Sequence, residues 1–293
     1  MISFIAVPGK KKFILFRNVK NELLNGTAVF RIKNLIPEIW NAETGEIIPV
    51  PAYTITAKGI QLPLSLNAYG SCFVVFSAGN KKPPMTDITI NDKKIGDTNS
   101  EYPGFMYSSK GITTMMNEKW NWTVNNKTFS KQVSLPSPIA LTGPWELRFE
   151  QEMNNVPTDT MLTLVPLNQS SKEKIKYFSG TVAYHHVFNM QKNQLQKDQL
   201  VFLDLGNVKE IAEVFMNGKR IGLSWHAPFH LDITNAILEG ENYLVIEVVN
   251  TINNLLVGDA KRPEQYRRTK TNITKISNAW RQPLAKLLNG IPG

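Results

Sequence analysis

The chain has 293 residues, of which 42% are hydrophobic and 19% charged. That suffices for about two domains with real cores and is too apolar for a disordered chain. The net charge of +9 is scattered over short clusters, among them Lys10–Lys12, Lys81–Lys82, Lys93–Lys94 and Arg267–Arg268, with no basic stripe along a helix, which argues against nucleic acid.

No apolar run approaches the ~20 residues of a membrane span. Met1–Val7 lacks a basic flank and is followed by Pro8-Gly9-Lys10, so it reads as a first strand rather than a signal peptide. Residues 11–78 read as short β-runs separated by turns. The segment Gly59–Leu66 alternates cleanly, with Ile60, Leu62, Leu64 and Leu66 on one face. Pro63, on the other face, points to an edge or a bulge. The single cysteine, Cys72, lies in the strand-like run Ser71–Phe76 and reads as a small buried hydrophobe. Gly79–Pro84 is a composition break. Beyond it, Asp87–Ile95 fits a hairpin, but the polar stretch to Pro138, with Trp120, Trp122 and Phe129 embedded, has no legible fold.

A second β-rich region opens at Gly143-Pro144-Trp145. Lys176–Phe188 reads as a long strand after a Gly bend, and Leu200–Gly206 as another. Val214–Met216 and Lys219–Gly222 flank Asn217-Gly218. Asn-Gly is the strongest short hairpin signal, because both residues tolerate the positive φ of a type I′ turn. The segment Trp225–Phe229 and the strand Asn242–Asn250 follow. Helix is expected only in turns and over 276–289.

The order of strand, Asn-Gly hairpin, Trp225-His226-Ala227-Pro228-Phe229 and closing strand resembles the galactose-binding-like jelly roll of the β-galactosidase/β-glucuronidase group of glycoside hydrolases. Pro37–Gly45, Pro49–Tyr53, Leu62–Leu64 and Gly70–Phe76 resemble the β-sandwich that follows the barrel in bacterial α-L-rhamnosidase-type enzymes of glycoside hydrolase family 106. Gly143–Leu147, Tyr177–Tyr184, Asn250–Asp259 and Arg267–Thr269 resemble their terminal jelly roll. The resemblance implies an all-β fold: a β-sandwich over 1–80, an uncertain connecting segment over 81–142 and a galactose-binding-like jelly roll over 143–293. It also implies a periplasmic or extracellular setting. A (β/α)₈ barrel takes ~250 residues, and nothing here alternates strand with helix to build one. The chain is therefore expected to be an accessory, non-catalytic piece of a longer enzyme.

Glycosidases need two carboxylates set for retention or inversion. Glu146, Glu150, Glu152, Asp204, Asp232 and Asp259 are available, but each reads more simply as a solvated, capping or strand residue, so no catalytic residue is assigned. His185-His186 cannot readily share a metal, because adjacent strand residues face opposite ways. No metal site or cofactor is assigned, although jelly rolls can hold a structural calcium through oxygen ligands. Sugar binding needs a flat apolar surface flanked by planar polar groups. Trp225, His226, Asn250, Asn254, Asp259 and Arg262 form the best such set, expected to meet where loops gather at one end of the sandwich. The competing structural account has Trp225 plugging the core. Trp120 and Trp122, spaced i,i+2, form a second candidate. The expected partner is a carbohydrate or a catalytic glycosidase domain. A purely structural docking module and a hydrolase with an interdomain site remain alternatives.

Overall fold

The computed structural model describes residues 2–5, 11–42, 44–79, 82–96, 104–108, 110–150, 156–196, 199–208 and 210–269. The expected helix over 276–289 and Glu152 lie outside them. The chain divides into two compact units, Met1–Ser137 and Pro138–Gly293, and it is all-β with few helical turns.

The first unit begins with β1 (Ile2–Ile5), β2 (Lys12–Arg17), β3 (Leu24–Phe30), β4 (Ile36–Trp40), β5 (Ile47–Pro49), β6 (Thr54–Thr56), β7 (Gly59–Leu66) and β8 (Ser71–Ser77). They form a five-stranded sheet, β1-β2-β8-β4-β5, and a three-stranded sheet, β3-β7-β6. The alternation in β7 does what it predicts: Ile60, Leu62, Leu64 and Leu66 are all buried, and the first three join Phe30, Val74 and Phe76 in the core. β7 is the middle strand of its sheet. Pro63 is tolerated there because β6 pairs only with Gly59–Gln61, so at Pro63 the strand has one neighbour, Thr27 of β3. Cys72 packs against this core, and burial pushes its thiol up to about 12.

Residues 82–133, beyond the composition break, belong to the same unit. They form β9 (Thr86–Ile90), β10 (Lys93–Lys94), β11 (Met106–Ser108), β12 (Gly111–Thr113), β13 (Glu118–Val124) and β14 (Lys127–Val133). The sheet order is β10-β9-β13-β14, with β11-β12 separate. Two hairpins turn at Asn91-Asp92 and Asn125-Asn126, all four residues at φ between 48° and 65°, the geometry of type I′ turns. Ile88, Ile90, Phe105 and Trp120 build a small core. Tyr107 packs against this core and against the first one, and its hydroxyl donates to Pro63 O at 2.8 Å.

The second unit contains β15 (Trp145–Glu150), β16 (Asp159–Met161), α1 (Glu173–Lys176), β17 (Thr181–Met190), β18 (Phe202–Asp204), β19 (Ile211–Met216), β20 (Lys219–Ser224), β21 (His230–Asp232), β22 (Gly240–Val249) and α2 (Asn253–Ala260). Six strands form one antiparallel sheet, β16-β15-β17-β22-β19-β20, and β18 pairs with β21. The inner face, with Leu147, Val182, Ala212, Val214, Met216 and Leu244, is buried together with Phe178 and Ile233. His185 and His186 face opposite ways. His186 is buried and stacks on Trp145 at 4.2 Å, whereas His185 Nδ1 meets the Tyr243 hydroxyl at 2.5 Å on the outer face.

The Asn217-Gly218 turn forms as its sequence predicts, with φ of 54° and 76°. The Asn217 side chain then ties the turn to the fold. It donates to Ala236 O and to Asn242 Oδ1, and it accepts from Tyr243 N. Asn242 is fully buried and bonds Leu238 and Gly240 as well. Asn242→Ala strands several of these groups without water. It is expected to cost about 3 kcal/mol, read as a lower midpoint in urea unfolding of the full chain.

Candidate functional site

The register of the six-stranded sheet decides which loops meet. Glu150 pairs with Thr181, Thr181 with Val249, and Val249 with Ile211. Ser224 pairs with Ala212, one residue inside Ile211. Trp225 therefore leaves β20 at the sheet end where Asn250 leaves β22. The Asn-Gly turn lies at the other end and serves the scaffold.

Trp225 is 57% exposed, so it does not plug the core. Its ring meets the His226 ring edge-on at 4.9 Å. His226 is also exposed, with Nδ1 2.8 Å from Ala227 O. The loop is held on both sides: Ser224 and Phe229 are buried, and Phe229 O accepts from Leu205 N. Exposed Ile211, Leu223, Val249 and Ile252 lie at or beside the same sheet end.

The polar members of the predicted set divide. Asn250 is half-buried and spends its side chain on backbone: Oδ1 accepts from Gly180 N at 2.9 Å and Nδ2 donates to Phe178 O at 3.0 Å. Asp259 is 1% exposed. Its carboxylate accepts from Arg268 N, Thr269 N, Thr269 Oγ1 and Arg268 Nε at 2.7–3.2 Å. Asn250 thus fixes the entry to β17, and Asp259 latches residues 268–269 onto α2. Neither offers free atoms to a hydroxyl. Asn254 is half-exposed and has no side-chain hydrogen bond among the described residues. Arg262 is exposed, its Nε 3.9 Å from Asp259. Trp225, His226, Asn254 and Arg262 are the members left with accessible surface.

Residues 145–284 match a family described as glycosyl hydrolase 2 galactose-binding domain-like. This domain is galactose-binding-like. A Formosa agariphila protein carrying a provisional β-glucuronidase name is 40% identical over 143 residues, 49% of this chain and 12% of that protein. A rhamnosidase from Novosphingobium sp. PP1Y superposes with a TM-score of 0.65 at 25% identity, covering 90% of this chain and 22% of the enzyme. A β-glucuronidase from Bifidobacterium dentium covers 37% of this chain and 19% of that enzyme, at 25% identity and a TM-score of 0.32. The chain thus spans less than a quarter of the length of each of these proteins.

The outer face of the galactose-binding-like sheet carries charge that single-residue inspection of the sequence missed. Glu146 pairs with Arg148 at 2.6 Å, and Glu213 with Arg220. Glu213 and Glu247 sit directly opposite each other across β19 and β22. Partial burial, then repulsion from Glu150 and Glu213, raises the Glu247 carboxyl above its ordinary value. The signal was present in the alternation of Glu213 and Glu247 on their strands, but only the register brings the two together. Asp204 and Asp232 cap local backbone, accepting from Gly206 N and Thr234 N. Among the described residues no group of three or more His, Cys, Asp or Glu side chains could hold a metal ion.

Two outcomes are expected. Burial opposes ionisation of Asp259, but hydrogen bonds from Thr269 and Arg268 outweigh it and hold the carboxyl below its ordinary value. Its contribution to stability is therefore present above the unfolded value of about 3.9 and is lost as pH falls through the lower folded value. Asp259→Asn should cost about 2 kcal/mol at neutral pH and speed tryptic cleavage at Arg267 and Arg268. Glu247 runs the other way. Its raised folded value favours the protonated state, so folding gains as pH falls through that value. Glu247→Gln should raise stability by about 0.5 kcal/mol at pH 7, read by thermal melting in low salt.

Proposed function

We propose that this chain is a non-catalytic accessory part of a glycoside hydrolase, and that its galactose-binding-like domain contributes a carbohydrate contact centred on Trp225. The observation that carries this reading is the exposure of Trp225 on a loop anchored at both ends. An indole in that position offers a flat apolar surface to the C–H side of a pyranose. His226 adjoins the indole and supplies a planar polar group for hydroxyls. Asn254 and Arg262 follow β22 on and just beyond α2, a segment that bonds Ser179 and Tyr177 just before β17, and they are the further polar groups a longer glycan would reach. The likeness to a rhamnosidase over 90% of the chain makes rhamnose-containing glycans the first ligands to try.

A second reading has its own support. Ile211, Leu223, Val249 and Ile252 are exposed around that end, and clustered exposed apolar groups mark interaction surfaces. In this reading the domain docks on a catalytic glycosidase barrel.

Isothermal titration of the full chain with rhamnose-containing oligosaccharides separates the two. The carbohydrate reading expects a Kd below about 1 mM and about a tenfold loss in Trp225→Ala. A titration that Trp225→Ala leaves unchanged, or no heat at millimolar sugar, removes the carbohydrate role and leaves docking as the account of the exposed ring.

A further inference from the structure

The β13–β14 hairpin of the first unit carries a surface feature that the Trp225 end does not explain. Trp122 pairs with Phe129, and Trp120 with Lys131. Alternation places Lys127, Phe129 and Lys131 on one face of β14, about 7 Å apart in succession. The same face of β13 carries Trp120 and Trp122. Trp120 is buried, with its Nε1 donating to Glu118, and Trp122 and Val133 pack against the same small core, so the β13 side of this face belongs to the core and Phe129 lies at its open edge. Trp122 is half-buried, and its ring lies nearly parallel to Phe129, 5.9 Å apart and 16° between planes. Phe129 is 44% exposed. β14 is an edge strand, and residues 127–132 are all exposed. Among the described residues neither Lys127 nor Lys131 has an ion-pair partner.

We propose that this Lys-Phe-Lys face, with Trp122 beside it, binds a negatively charged polysaccharide. Phe129 stacks on the C–H side of one pyranose, and Lys127 and Lys131 pair with carboxylate or sulfate groups on that ring or its neighbours. The choice of polysaccharide rests on the glycan-handling role proposed above. A nucleic-acid strand is disfavoured because it is gripped by a charged groove with successive stacking platforms, and here one aromatic pair stands between two ammonium groups. Lysines on an edge strand also deter strand-to-strand aggregation. That role asks nothing of Phe129, which makes Phe129 the discriminating residue.

The test is titration of the full chain with oligogalacturonate, with dextran sulfate and with neutral dextran, repeated with oligo-dT. Binding to the uronate arm, the sulfate arm or both is expected, with none to dextran. Which arm responds identifies the anionic group. Phe129→Ala, at an exposed position, should keep the far-UV spectrum and weaken binding about fivefold. Lys127→Gln with Lys131→Gln should weaken it further and remove its salt sensitivity. Trp225→Ala should leave it unchanged. Affinity that survives Phe129→Ala would reduce the effect to diffuse attraction by a basic chain and overturn the site. So would absence of binding to both anionic arms, or equal or tighter binding of oligo-dT. Loss in Trp225→Ala alone would place anionic glycan at the other unit, which overturns this site and spares the accessory role.

Discussion

The ten-residue antiparallel pairing of β17 with β22, from Thr181 opposite Val249 to Met190 opposite Gly240, is the constraint on which the second unit depends. Side chains alternate with period two, so a slip of one residue would send Leu244 and Val182 to water and Glu247 and His185 into the core. This register also fixes the ends of the sheet. It carries Asn250 to the same end as Trp225 and leaves the Asn217-Gly218 turn at the other. The position of the candidate site is thus a consequence of core packing two strands away.

Buried polar groups then lock what the register has arranged. Asn242 and Asn217 bond each other and the backbone at the turn end. Asn250 and Asp259 do the same beyond the far end of β22. Each such group would be costly if left unpaired, and each is nearly saturated. Saturation is also why these residues make poor ligands. A carboxylate that already accepts two backbone N–H groups, a hydroxyl and a guanidinium has little left to give a sugar.

The strands with strict alternation were legible in the sequence, and so was the Asn-Gly turn, because period and turn chemistry are local properties. Gly59–Leu66 and Asn217-Gly218 needed no tertiary information. The stretch up to Pro138 resisted because β11 and β12 have three residues each and every position of β14 from Lys127 to Gln132 is exposed, which leaves the i,i+2 spacing of Trp120 and Trp122 on β13 without an alternating partner strand. At the candidate site the residue types were legible but their duties were not. Asn250, Asn254, Asp259 and Arg262 are all polar and all follow the last long strand. What separates Asp259 from Arg262 is the return of residues 268–269 onto α2, a contact nine residues away that no spacing rule anticipates. The opposed Glu213 and Glu247 were hidden for the same reason: opposition across strands is a property of register.

Tryptophan burial separates scaffold from surface more cleanly than polarity does. Trp145 is 5% exposed and Trp120 6%, and both rings are tied in, one to His186 and one to Glu118. Trp225 is 57% exposed, which leaves unrealised the roughly 2 kcal/mol that burying so large a side chain would contribute. A loose loop would explain that exposure, but this loop is not loose. Ser224 enters it buried, and Phe229 leaves it buried and bonded to Leu205. The exposure is therefore set by an anchored backbone rather than by a loose loop. A backbone ordered before a partner arrives has less conformational entropy to lose on binding, which is the advantage this anchoring would lend to the recognition proposed for Trp225.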